Sequence, residues 1–525
     1  MNPNSDAFSE IALSLSGGGY RAAAFHLGTL EMLERLELLD KVNVLSTVSG
    51  GTITGAAYAC AIAENTPFPE FSARLYNFLR STNVITAALD VLPASTKINQ
   101  TDAMPSLIRA AASIYSSPEF LGDKTFDFLL SSSDKLKEIS FNATDFRTGN
   151  CFRFQKSENQ SVRSGNNDAE IKPDLNHLIR LADIVAASSC FPSGFEPIRF
   201  PSDFVWSDEI GLAQIREQLG ERFAEDIPLM DGGVFDNQGI DSIKNIQRRE
   251  GREIDLYIVS DTDQRGDSML DFPPVARRGW LTLKYLYVIV LFVIIASLFT
   301  IAAIVVDAVS NYRNGELTPF RVVFLYLIPL AFSLTVISFV LWGRAFVRRM
   351  QKKVAKETGI ELWRFLQKLT MPEVVELAGS RLDSLVAMSS KVFMKRIRDL
   401  GYTSIFADTN LNQKIVPNQI YDLDKNLNFK TDWSEFIPET ELTPSERLQE
   451  ISRRAEGYST NLWFLSPDEL DNLILCGRAT ICYKIIKYLL RYRAAQLAVS
   501  DSGELVLFAR ARAIWGELNR AESNL

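Results

Sequence analysis

The sequence predicts a three-layer α/β/α domain with a mainly parallel central sheet, joined to a two-helix transmembrane hairpin. Three observations carry this. Short apolar runs alternate with helical stretches from the N-terminus, glycine clusters stand where strands pass into helices, and two uncharged stretches of about 20 residues lie in mid-chain.

IALSLS (11–16) reads as the first strand, 20–36 as a helix, VNVLSTV (42–48) as the second strand and 52–63 as a second helix. This β-α-β-α order implies a parallel sheet with helices on both faces. Residues 65–135 read as mostly helical with proline breaks, and further strands are expected at EISFNATDF (138–146), NCFRFQ (150–155) and IDLYIVSD (254–261). Beyond the hairpin, Leu382, Leu385, Met388, Val392, Ile397 and Leu400 recur at nearly helical spacing, with Gly401 as the expected C-cap before a strand YTSIF (402–406). Residues 408–446 read as irregular and 467–495 as an amphipathic helix. The expected division is therefore 1–270 for the α/β domain, 280–343 for the hairpin and 344–525 for a helical C-terminal region packing on the first domain.

Tyr285–Val306 and Val322–Leu341 carry no charge and are each long enough to cross a hydrocarbon layer of about 30 Å. Arg277, Arg278 and Lys284 precede the first, and Arg344, Arg348, Arg349, Lys352 and Lys353 follow the second. In the short link Arg313 is balanced by Asp307 and Glu316. The positive-inside bias then predicts an integral membrane protein with both flanks and both termini cytosolic. Tyr285 and Trp342 stand where interfacial aromatics belong, and Pro329 is expected to kink the second span.

A net charge of −8 argues against nucleic acid as a partner. The five cysteines show no CxxC spacing, and MNPNSDAFSE has neither a basic segment nor an apolar run to direct export, so a reducing compartment without a disulfide framework is expected. Cys476 and Cys482 lie in an apolar helical stretch with no further ligand nearby and read as core thiols.

The chemistry is concentrated in three short motifs. The first strand runs into SGGGYRAAAFHLG, where consecutive glycines at a helix start aim backbone N–H groups at one spot and suit a phosphate or an oxyanion. Gly17, Gly19 and Ala22 also fit a dinucleotide fingerprint, but the second strand ends on Ser49 instead of the acid that would bind a ribose. That serine, followed by Gly50 and Gly51, has the form of a nucleophile elbow. A serine nucleophile needs a base, and of the two histidines neither His26 nor His177 stands late enough for a triad in hydrolase order. PLMDGGVFDNQG supplies a carboxylate instead, Asp231.

Together GGGYR, VSGG and DGGVFDN, with weaker echoes in NATDFRTG and AASSCFPSGFEP, resemble the patatin-like phospholipase family, serine lipid acyl hydrolases with a Ser-Asp dyad. The resemblance is clearest over residues 11 to 262. It implies Ser49 as nucleophile, Asp231 as general base and Gly17, Gly18 and Gly19 as oxyanion donors, with Arg21, Gly51, Gly232, Gly233 and Asn237 in support. Neither metal nor cofactor is implied. Thr47 departs from the family pattern, standing where a glycine is usual, and is expected to tighten the turn; Ser16 and Ala22 depart as well.

The expected function is cleavage of fatty-acyl esters through an acyl-enzyme, of phospholipase A or lysophospholipase type, with membrane phospholipid as substrate and the bilayer as partner. Self-association into a homo-oligomer is compatible with it. The alternative is a membrane-anchored scaffold with an inactive hydrolase fold. Transport through the hairpin is disfavoured because the spans carry no intramembrane charge.

Overall fold

The computed structural model describes residues 7–93, 97–98, 101–102, 104–130, 135–158, 164–192, 194–206, 211–265, 282–315, 318–358, 368–388, 392–424 and 435–520. Arg277, Arg278 and Glu316, which enter the charge argument, lie outside these residues. The chain divides into two compact units, 1–267 with 388–525, and 268–387.

The first unit is built on a ten-stranded mixed sheet. Its strands are β1 (Ile11–Leu15), β2 (Val42–Val48), β5 (Glu138–Asp145), β6 (Asn150–Lys156), β7 (Ser164–Gly165), β8 (Glu170–Ile171), β9 (Ile198–Phe200), β10 (Ile227–Asp231), β11 (Leu256–Asp261) and β12 (Ile415–Gln419). Two further strands, β3 (Lys97–Ile98) and β4 (Thr101–Asp102), pair as a separate ribbon. The order β12-β11-β1-β2-β5 is parallel throughout, and β6, β7 and β8 continue it antiparallel.

Alternation along β1 divides the two faces. Ile11, Leu13 and Leu15 join the large core beneath helices α1 (Gly19–Arg35) and α2 (Gly50–Glu64), whereas Ala12 joins a smaller core with Ile240, Ile243 and Ile405. The smaller core lies under helices Ile240–Glu250 and Phe393–Phe406, which completes the three layers.

The C-terminal third differs from its sequence reading in three ways. YTSIF is not a strand but the end of helix Phe393–Phe406, and Gly401 sits inside that helix instead of capping it. A Cβ at Gly401 would overlap the Gln238 side chain, so this glycine serves close packing. The polar stretch from 408 contains β12, whose Ile415 and Val416 are buried beside β11. Helix Pro467–Tyr492 is buried around most of its circumference and is not amphipathic. It crosses α1 so closely that a Cβ at Gly28 would overlap the Ile474 carbonyl, and one at Gly477 the Phe25 carbonyl.

In the second unit, Tyr287–Arg313 and Arg321–Phe346 have mean hydropathies of 3.1 and 2.3 and are long and apolar enough to cross a membrane. Their near ends are joined by polar bonds: the Tyr326 hydroxyl donates to Asp307 (2.7 Å), and Arg321 donates to Asn311 (2.8 Å). Arg321–Leu327 is wound as a π-helix that ends two residues before Pro329.

Candidate active site

The sheet itself brings Ser49 and Asp231 together. β2 runs parallel to β5 and ends with Val48 opposite Asn142, while β10 runs antiparallel along the same edge and ends with Asp231 opposite Ala143. The two strands thus meet tip to tip, one β5 residue apart. Ser49 turns the chain into α2 with φ +53° and ψ −121°, an uncommon conformation for a side chain-bearing residue. The Ser49 side chain lies close enough to the Asp231 carboxylate to pull its pKa down. Burial raises the Asp231 pKa to about 6, against the pull of Ser49, of the Gly233 N–H that donates to Oδ1 at 2.7 Å, and of the positive Arg398.

A chain of hydroxyls fastens the turn. The Ser49 N–H donates to Ser188 Oγ (3.0 Å), and Ser188 Oγ donates to the Asn142 carbonyl (2.7 Å). Thr52 Oγ1, 2.7 Å from Ser188, must then be the donor to it, and Thr47 Oγ1 the donor to Thr52 at 2.9 Å. The Ser188 and Cys190 carbonyls in turn accept from the N–H groups of Gly232 and Asp231 at 3.2 and 2.9 Å. Thr47, expected to crowd the elbow, is housed by Gly55, where a Cβ would overlap its methyl group. Gly51 and Gly232 permit close backbone passage, past the Leu15 and Asn142 carbonyls respectively.

The glycine loop packs directly on the elbow. Gly50 lies against the Gly19 backbone, and Gly18 and Gly19 hold φ values of +143° and +58°. Of the three expected donors, the Gly17 N–H is committed to the Asn237 carbonyl at 2.9 Å. The N–H groups of Gly18 and Gly19 have no hydrogen-bond acceptor among the described residues.

Arg21 does not point at an anion. Its guanidinium donates to the carbonyls of Thr262 (2.8 Å), Tyr458 (2.9 Å) and Glu456 (3.2 Å), and burial together with Arg398 lowers its pKa to about 9. His26 is buried between Ser260 Oγ and the Ser16 carbonyl, both at 2.9 Å, with its pKa lowered to about 4 by burial. His177 lies near Asp127, partly exposed. All five cysteines are free and buried.

Three residues near Ser49 and Asp231 escaped the sequence reading. Asn142 and Ser188 lie within the weaker echoes NATDFRTG and AASSCFPSGFEP, where their roles had no visible mark. Arg398, 7% exposed, comes from helix Phe393–Phe406 and approaches the Asn237 amide and the Gly17 carbonyl.

Fold and geometry define an α/β protein whose strand–serine–helix turn meets a buried carboxylate. The patatin-like phospholipase family model matches residues 13–243, and this part of the chain is a patatin-like phospholipase domain. No curated protein shows significant similarity to the chain. Among solved structures, human GIVD cytosolic phospholipase A2 matches at 14% identity over 48% of this chain and 45% of that one, with a TM-score of 0.32. The same human enzyme in complex with a methyl gamma-linolenyl fluorophosphonate inhibitor and terbium chloride matches at 17% identity, over 48% of this chain and 40% of that one, with a TM-score of 0.32. The chain thus spans less than half the length of these structures.

Proposed function

We propose that the protein is a membrane-tethered serine lipid acyl hydrolase of phospholipase A or lysophospholipase type, working through Ser49 and Asp231. The observation that carries this reading is the tip-to-tip strand junction that sets Ser49 beside the buried carboxylate of Asp231. The patatin-like domain supports it. In the proposed reaction Ser49 Oγ attacks the ester carbonyl as Asp231 takes its proton. The tetrahedral oxyanion is received by the free N–H groups of Gly18 and Gly19. Collapse breaks the ester C–O bond, protonated Asp231 returns its proton to the leaving alcohol, and water, deprotonated by Asp231, releases the fatty acid.

The two apolar helices serve in this reading as a hairpin anchor with both termini cytosolic. Such a tether holds the site near the bilayer at high effective lipid concentration, which favours membrane phospholipid as substrate. The test is fatty-acid release from phosphatidylcholine vesicles, with chelator present, by wild type, Ser49→Ala and Asp231→Asn. Release by wild type and its loss in both variants is expected. Equal background in all three would point to the scaffold alternative.

A further inference from the structure

We infer that Arg398 is a positioning residue of the proposed oxyanion site, fixing the Asn237 amide and the Gly17 carbonyl and through them the donors beside Ser49. This rests on the Ser-Asp reading above, and Arg398 lies well outside the matched domain of residues 13–243.

A guanidinium has donors and no acceptor. With its oxygen turned toward Arg398, the Asn237 side chain accepts from Nη2 at 2.6 Å and from Nε at 3.0 Å; in the reverse orientation its NH2 would face those donors. Arg398 therefore selects one orientation of the amide. The Asn237 NH2 then occupies a spot that Cβ atoms on Gly17 and Gly233 would both overlap, between the glycine loop and the aspartate turn. Two donors thus lie on the dyad side.

The second contact acts through the peptide plane. Arg398 Nη2 donates to the Gly17 carbonyl at 3.3 Å, joined there by Thr262 Oγ1 at 3.0 Å. In a planar trans peptide the next N–H points opposite to that carbonyl, so holding the Gly17 oxygen aims the Gly18 N–H. Arg398 is held in turn by Asp261 (3.3 Å from Nε) and Asp263 (3.2 Å from Nη1), which compensate its buried charge. Lys395, one turn earlier, also pairs with Asp263, at 2.5 Å, and its ammonium has no bond to Gly17 or Asn237. It is the natural control.

The experiment measures how fast an alkyl fluorophosphonate labels Ser49 in the full-length protein in detergent. Labelling is located by peptide mass spectrometry, and the thermal midpoint of each variant is recorded alongside. Phosphonylation builds an oxygen that needs the same donors, and small misplacements in such a site cost up to about a hundredfold. Arg398→Met and Arg398→Lys are both expected to label about ten- to a hundredfold more slowly than wild type, and Lys395→Met at the wild-type rate. Arg398→Lys keeps a cation beside Asp261 and Asp263, so it remains informative where Arg398→Met unfolds. A wild-type labelling rate in Arg398→Lys, or equal slowing in Lys395→Met, would overturn the inference and leave the dyad standing. Wild-type protein that is not labelled at Ser49 would overturn the dyad reading and the inference with it.

Discussion

Replacing Asp231 by asparagine removes the proposed base and, with it, a buried ionisable group. Burial raises its pKa from 3.8 to about 6. A group whose folded pKa is raised contributes stability that is present below the unfolded value of about 3.8 and lost as pH rises through about 6. At about 1.4 kcal/mol per unit, the ionised carboxylate costs the folded protein about 3 kcal/mol at pH 8. At pH 5, where most folded molecules keep the proton, the cost is about 1.6 kcal/mol. Asp231→Asn is therefore expected to gain about 1.4 kcal/mol relative to wild type between pH 5 and pH 8, read as a thermal-midpoint gap that widens with pH. The same pKa governs the rate: kcat/KM of wild type should rise about tenfold per pH unit up to about pH 6 and then level off. His26, buried with a pKa near 4 and bonded to Ser16 and Ser260, has no part in that limb. His177→Gln should keep it unchanged. A limb centred near pH 4, a stability gap independent of pH, or substantial esterase activity in Asp231→Asn would refute the reasoning.

Two further outcomes follow from the geometry. Gly55→Ala should destabilise by about 1–3 kcal/mol through overlap with the Thr47 methyl, and the same change in a Thr47→Gly background should be nearly neutral; a thermal double-mutant cycle measures the coupling. For the hairpin, tags at both termini should be cut by protease added to the cytosolic face of sealed vesicles, while a tag inserted between Tyr312 and Thr318 should be protected.

The N-terminal half of the fold was legible because its signals are local. IALSLS and VNVLSTV are buried on both faces, as apolar runs in parallel strands are, and the glycines mark the turns that follow them. β12 was not legible. Its sequence, IVPNQ, carries a proline and two polar residues, which an edge strand tolerates and a pattern of apolar residues does not flag. YTSIF misled for the opposite reason. Its β-branched and aromatic residues suit a strand, yet Ile405 is needed on the helix face that closes the smaller core, and packing overrides propensity there.

The site divides along the same line. The serine, the aspartate and the glycines each stand in a turn whose spacing a single stretch of sequence displays, so a reader can name them one by one. Their meeting depends on β5, which takes β2 along one part of an edge and β10 along the next, and nothing in EISFNATD announces that exchange. Arg398 is further removed still. It lies 161 positions beyond Asn237, on the far side of both apolar helices, and in sequence it is one charged residue among Lys395, Arg396 and Asp399 with nothing to mark it as buried. A buried arginine shows itself in sequence only through its carboxylates, and here these are Asp261 and Asp263, at the end of the strand from which the chain leaves the α/β unit. The segments that leave for the apolar pair and return from it are therefore clamped to each other beside the glycine loop. A protein cut after residue 262 would keep every motif and lose the guanidinium that orients Asn237.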